Sequence, residues 1–370
     1  MKKIISLTLL SSLCVLTLGP ALTVAGTGSV NTNLTKDVSG GQVPIVKVKW
    51  EANADRYTDD STAPGAQFSP SGIYQQNKTI ALCAIVTDPD GLADIDNVYA
   101  DVFYPEDIAL GDHHVALPDQ SGLGCGALMQ EDTLIRLPKQ EGFDLFCTDV
   151  RNNNYNLPTF NDSPMQYTYD EICAPDGELM KETAAVYCAT KELSYEDPSG
   201  DYKVWAVAQD KNGQQGTLEN YFEYLPTVAF EADFNAVNYG KVRLNTHKII
   251  SGDLTWNDTI GANPATVRNV GNTRLQMGVE QDDMGLGMTD GIYNVKYDAR
   301  VGSTASFANY NPYANVKWLQ DELDLSELDE MDFSILITKF PPTGGESFTG
   351  TMTLSAKKVN HLPCPPPCDK

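Results

Sequence analysis

The stretch TDPDGLADID places Asp88, Asp90, Asp94 and Asp96 close together in one loop. Carboxylates grouped in this way offer the hard oxygen ligands that Ca²⁺ prefers. The spacing is not that of an EF-hand: with Asp88 as first ligand, Gly91 falls too early and Tyr99 stands where a bidentate glutamate belongs. A turn at Asp90-Gly91 whose aspartates cap backbone amides accounts for the same residues, and both readings stay open. A second acidic loop, EQDDMGLGMTDG, carries Glu280, Asp282, Asp283 and Asp290 and reads first as a glycine-containing hairpin loop. His113 and His114 follow Asp112, but adjacent imidazoles need further ligands to share an ion, so an exposed loop pair is the simpler reading. His247 and His361 have no partner evident in the sequence. The chain contains no Gly-x-Ser-x-Gly, P-loop or His-Glu-x-x-His, and no Gly-x-Gly-x-x-Gly after a strand, so the expectation is a non-enzyme without an organic cofactor.

Cysteine is the other reactive residue type. Lys2 and Lys3 precede an apolar run from Ile4 to Leu18 and small residues around Ala25, the pattern of a secretory signal peptide spanning 1–25. Cys14 would leave with it. Cys83, Cys125, Cys147, Cys173, Cys188, Cys364 and Cys368 remain, and an odd number cannot pair completely within one exported chain. The nearest sequential pairs are Cys125 with Cys147 and Cys173 with Cys188, while Cys83 lies in an apolar run where a buried free thiol is expected. The tail, HLPCPPPCDK, sets Cys364 and Cys368 on a proline-stiffened stalk. Three fates are open to them: a bond to each other, a metal or redox site, or bonds to neighbouring molecules. The protruding stalk suits the last best. Sequons at Asn33, Asn77, Asn161 and Asn257 are candidate glycosylation sites.

Those groups need a scaffold, and the sequence predicts one built from strands. Residues 26–43 are rich in Gly, Ser, Thr and Asn and read as a flexible arm. PIVKVKWEA then alternates Val46, Val48 and Trp50 with lysines, a half-buried strand and a candidate donor strand for a neighbouring copy. TIALCAIV, NVYADVFY and DYKVWAVAQDKNGQQG read as further strands, the last turning at Asn212-Gly213. From about 105 to 198 the chain holds four of the cysteines and a predicted helix at 176–193, read as a disulfide-knitted, partly helical insertion. Beyond Pro226, alternation in VAFEADF, TRLQMGVE, YNVKYDA and TMTLSAK, with the apolar FSILI, predicts a second sandwich over 227–359. DELDLSELDEMD is expected to be a solvated acidic face with Leu323, Leu325 and Leu328 turned inward. The fold class is therefore all-β, two sandwiches in series with a tail at 360–370.

Charge narrows the partners. Removing Lys2 and Lys3 from 26 basic residues leaves 24 against 50 acidic ones, a net charge of 24 − 50 = −26. Such a surface repels nucleic acid and anionic lipid, and no segment after the leader is apolar enough to predict a membrane anchor.

The phrases TDPDGLADID and DYKVWAVAQDKNG resemble the immunoglobulin-like modules of secreted surface proteins, over about residues 44–226. VNYGKVRLNT, ATVRNVGNT and SFTGTMTLSA resemble jelly rolls of envelope and biofilm-fibre subunits. With the leader, the β content and the tail cysteines, the chain resembles archaeal cell-envelope structural proteins, in particular the hoop-forming sheath protein of filamentous methanogens. That resemblance implies a secreted, extracellular subunit that polymerises with itself, in rings or hoops, as a protective permeability barrier. The rival expectation is a carbohydrate- or protein-binding module that uses the cysteine-rich insertion, with Tyr155, Phe160, Tyr167 and Tyr169 as its aromatics.

Overall fold

The computed structural model of the chain describes residues 41–105, 134–142, 145–151, 157–162, 166–342 and 347–359. The leader, the arm before Gly41, Asn33, His113, His114, Cys125, Tyr155 and the tail with Cys364 and Cys368 lie outside them.

The first sandwich is built from β1 (Ile45–Asn53), β2 (Gln67–Phe68), β3 (Lys78–Thr87), β4 (Ile95–Phe103), β5 (Ile135–Arg136), β6 (Thr159–Phe160), β7 (Ala184–Leu193), β8 (Gly200–Asp210) and β9 (Gln215–Tyr224). One sheet runs β6-β1-β3-β7 and the other β2-β9-β8-β4-β5. The predicted alternation along β8 is real: Tyr202, Val204, Ala206 and Ala208 are all buried. β3 is a continuous apolar run because both its faces are covered, and it is paired on one side with β1 and on the other with β7.

Three expectations are corrected here. β1 is not half-buried: Lys47, Lys49 and Glu51 are buried as well as Val46, Val48 and Trp50. Trp50 packs on Phe146 of the inserted region at 4.8 Å, Lys47 meets Glu178, and Lys49 meets Glu51 and the Asn220 side chain of β9. Paired with β3 and β6 and covered in this way, Val46, Val48 and Trp50 are committed to their own sandwich and are not a strand to lend.

The predicted helix at 176–193 is replaced by a strand over its second half. Ala, Glu, Lys and Leu favour a helix there, but ten successive pairings of β7 with β3, from Thr87–Ala184 to Lys78–Leu193, outweigh that weak preference. The true helix α1, Tyr169–Cys173, lies upstream, started by a capping box between Thr168 and Glu171. β7 thus belongs to the sandwich, and the inserted region ends before Ala184.

The disulfides also differ from the sequential pairs. Cys83 is not a free thiol: it bonds Cys188, its register partner on β7, within one sheet. Cys147, in a helical turn at Leu145–Val150, bonds Cys173 at the end of α1. Proximity along the chain misled because β-pairing brings together residues 105 positions apart.

The second sandwich comprises β10 (Phe230–Ala232), β11 (Lys248–Ile250), β12 (Thr266–Asn269), β13 (Leu275–Gln281), β14 (Met288–Thr289), β15 (Ile292–Tyr293), β16 (Val295–Val301), β17 (Ala308–Tyr310), β18 (Lys317–Leu323), β19 (Leu328–Ile337) and β20 (Met352–Lys358). One sheet runs β10-β12-β19-β16-β17, with β11 also on β19, and the facing sheet runs β18-β13-β20. Leu275, Met277 and Val279 of β13 pack in a core with Val295, Tyr297 and Ala299 of β16 and with Phe333 of β19. Burial of a side chain such as Leu275, Met277 or Val279 contributes about 1.5–3 kcal/mol by leaving water. In the acidic run, Leu323 and Leu325 are buried as expected, but Leu328 is only half-buried, and the face is not the solvated one expected: Asp332 is buried against Arg300 and of the acidic residues only Glu327 is exposed.

The two cores share no residue. They meet where β8 begins and β9 ends: the Ser199 amide donates to the Asn272 carbonyl at 2.9 Å, the Asn272 side chain donates to the Leu225 carbonyl at 3.0 Å, and the Tyr195 hydroxyl lies 2.9 Å from that of Ser326. The chain enters the first sandwich at the other end of the β8–β9 hairpin, where Pro44 passes so close to Gly216 that a Cβ there would lie 1.9 Å from the Pro44 carbonyl oxygen.

Candidate functional site

At the end of the first sandwich where the chain enters, the β3–β4 loop and the β8–β9 turn are tied together. The Lys211 amide donates to the Asp94 carbonyl at 2.9 Å and the Lys211 ammonium to the Ala93 carbonyl at 2.6 Å. Carboxylate oxygens of Asp88, Asp90 and Asp94 lie within 4.8 Å of one another. Asp88 is 4% exposed; its Oδ1 accepts from the Asp90 amide, while Oδ2 is buried with no hydrogen-bond partner. Asp210 of β8 is 1% exposed; its Oδ1 accepts from the amides of Asn212 and Gln214, and Oδ2 is again buried and unpartnered. Burial, together with the carboxylates of Asp94, Asp90 and Asp210, pushes the Asp88 carboxyl up from its ordinary value. The Asp90 Oδ2 accepts from the Gln42 amide, so the loop also holds the incoming chain. Asp96 does not join the group: it is exposed on β4, with its carboxylate on the Asn97 side chain.

Asp210 was missed by the sequence reading because it lies 122 positions from Asp88 and served there only as the end of a strand. Its one sequence signal was its place before Asn212-Gly213, at the tip of a hairpin whose strand pairs with β4.

The second acidic loop has the opposite character. Asp282 accepts from the amides of Met284 and Thr351, and Asp283 from the amides of Gly285 and Gly287. These carboxylates are used in shaping the loop, as the hairpin reading expects.

His247 does have neighbours, Ser334 and Asp298, the residue types of a hydrolytic triad. Both contact the same ring nitrogen, Nδ1, at 3.1 and 3.3 Å. A triad needs Nδ1 on the carboxylate and Nε2 on the nucleophile, so this trio cannot relay a proton from Ser334 in that way, and Ser334 is buried. In the inserted region Tyr169 is buried, stacked on Phe146 at 5.7 Å, and Tyr167 carries the Lys47 ammonium over its ring. They form a local core rather than an open aromatic platform.

Asn77 and Asn257 are exposed. The Asn161 side-chain nitrogen instead donates to the Val46 carbonyl at 2.8 Å, so glycosylation at that position competes with a bond that anchors β1.

The second sandwich holds a groove of about 900 Å³. Ile335 and Ile337 of β19 and Leu286 line it on one side, Val237 and Val242 on another, and Met352 and Leu354 of β20 close it. The stacked rings of Phe340 and Phe348, 5.7 Å apart, border it. β20 pairs with β13 along one edge, and no described strand pairs with the other. Its inward residues Met352, Leu354 and Ala356 are consequently only half-buried.

No protein-family model matches this chain, and no curated protein does. Among solved structures, the chain is similar to the chaperone–tip adhesion subunit pre-assembly complex of archaic chaperone-usher pili from Acinetobacter baumannii, at 11% identity over 79% of this chain and 97% of that one, with a TM-score of 0.23. It is similar to the C-terminal domain of an antigen I/II-family protein of Streptococcus pyogenes, at 11% identity over 85% and 95% of the two chains, TM-score 0.22. A secreted serine protease of Vibrio cholerae overlaps at 9% identity over 83% and 52%, TM-score 0.17. Overlaps of that quality assign neither a family nor an activity. No described helix is long and apolar enough to cross a membrane.

Proposed function

We propose that the protein is a self-assembling structural subunit of an extracellular surface layer or sheath, each copy receiving a strand from the next. The observation that carries this reading is the groove in the second sandwich beside the edge of β20 that no described strand pairs. An added strand would satisfy the edge N–H and C=O groups and cover Met352 and Leu354, the physics of β-strand addition.

The donor we assign is the arm before Gly41. In SVNTNLTKDV, Val30, Thr32, Leu34, Lys36 and Val38 share one face of an extended strand, and Asn31, Asn33, Thr35 and Asp37 the other. Burying Val30, Leu34 and Val38 contributes about 1.5–3 kcal/mol each.

Chain length favours donation to another copy. β8 alone, from Gly200 near the second sandwich to Asp210 beside the incoming chain, spans about 33 Å. The link from Val38 to Gln42 reaches about 14 Å at most. Subunits therefore join head to tail, and where that rotation closes, rings follow, as in the hoops that the sequence resemblance implies. Cys364 and Cys368, on the proline tail, then lock neighbours covalently in an oxidising compartment. The resulting layer serves as a protective barrier whose acidic surface disfavours anionic solutes.

Deleting residues 26–40 tests this. Wild type should form polymers visible by electron microscopy and light scattering, whereas the deletion and the groove variant L354K should stay monomeric and folded. A synthetic peptide of residues 29–38 should cap wild-type growth. Assemblies of the deletion variant indistinguishable from wild type would sink the proposal.

A further inference from the structure

We propose that Asp88, Asp90 and Asp94 form a calcium site at the end of the first sandwich where the chain enters, with the buried carboxylate of Asp210 as a charged neighbour of Asp88. Two observations beyond the acidic grouping point to a ligand. Asp88 Oδ2 and Asp210 Oδ2 belong to carboxylates that are 4% and 1% exposed, and each oxygen is buried without a donor. A buried carboxylate oxygen left this way is costly unless a cation or donor meets it. The other oxygens of the same two residues are held by backbone amides, which fixes both side chains in place.

The donor set specifies the cation. All three groups are hard oxygens, with neither nitrogen nor sulfur, which selects Ca²⁺ or Mg²⁺ over transition metals. The 4.8 Å limit on the spread of the Asp88, Asp90 and Asp94 oxygens is about twice a Ca–O distance, the diameter of a calcium coordination sphere. Mg²⁺ demands tighter octahedral geometry and keeps its waters, so three carboxylates converging from one irregular loop suit Ca²⁺ better. The only ammonium described against this loop, that of Lys211, is exposed and engaged with the Ala93 carbonyl.

The test uses the full exported chain, residues 26–370, stripped of metal, with calorimetric titration of CaCl₂ and thermal unfolding in EDTA and in Ca²⁺. One Ca²⁺ should bind per chain and raise Tm by about 5–10 °C at a hundredfold excess over Kd. D88N keeps the Oδ1 acceptor, so it should fold; it should lose the calcium-dependent rise while melting in EDTA no lower than wild type, because a repelling charge is gone. D96N should respond like wild type. Absence of any calcium-dependent shift in folded wild type, a wild-type response from D88N, or an equal response to Mg²⁺ would each overturn the assignment. These readouts concern the single chain and do not depend on whether it polymerises.

Discussion

Lys49 shows how a buried charge is met in this protein and what that costs. Its ammonium, 1% exposed, lies against Glu51 and the Asn220 side-chain oxygen, while the Asn220 side-chain nitrogen donates to Glu51 Oε2 at 2.7 Å. Burial lowers the Lys49 pKa below 10.5, although Glu51 pulls it back up. Removing one partner strands the other: K49M should cost about 3–5 kcal/mol in denaturant unfolding, whereas K49M/E51L should come out near wild type. The pair also sets a pH slope. Between the lowered folded pKa and 10.5 the unfolded chain binds the proton more tightly, so this lysine makes stability rise with pH across that window. Subtracting the K49M/E51L profile from wild type should isolate that rise; a flat difference between pH 8 and 10.5 would show that the ammonium is not desolvated as the structure has it.

At the scale of elements, alternation made several of the longer strands legible: β8, β13, β16 and β20 lie where the apolar period of two places them. What stayed hidden depended on contacts distant in sequence. β7 has a helical composition and is a strand only because β3 pairs with it, and Cys83 looked like a core thiol because its partner lies 105 residues away. The acidic cluster itself was legible because Asp88, Asp90 and Asp94 are local, whereas the Asp210 carboxylate that acts on Asp88 comes from another hairpin, and Asp96, two positions beyond Asp94, is exposed with its carboxylate on Asn97. The β3–β7 bond closes so long a loop that removing it releases considerable unfolded-state entropy. C83A/C188A should lose about 3–5 kcal/mol, more than C147A/C173A, whose loop spans 26 residues. Equal losses in guanidinium unfolding would mean that loop closure is not what the β3–β7 bond contributes.

For the whole molecule the controlling quantity is charge. A chain at −24, or −26 without Lys2 and Lys3, meets copies of itself against long-range repulsion, while the donor arm, with only Lys36 and Asp37, is neutral. Strand addition is short-ranged and mostly apolar, so it should be insensitive to salt once the partners touch. Repulsion between bodies, by contrast, reaches about 30 Å at 0.01 M ionic strength and about 8 Å at 0.15 M. Assembly should therefore begin at lower protein concentration as NaCl is raised, chiefly through a faster encounter. Dissociation of formed polymer on dilution should change little. Light scattering across an NaCl series, with growth and dilution rates measured separately, distinguishes this from a lattice held by ion pairs. Such a lattice would loosen with salt, and that outcome would move the contact from the groove beside β20 to the charged faces.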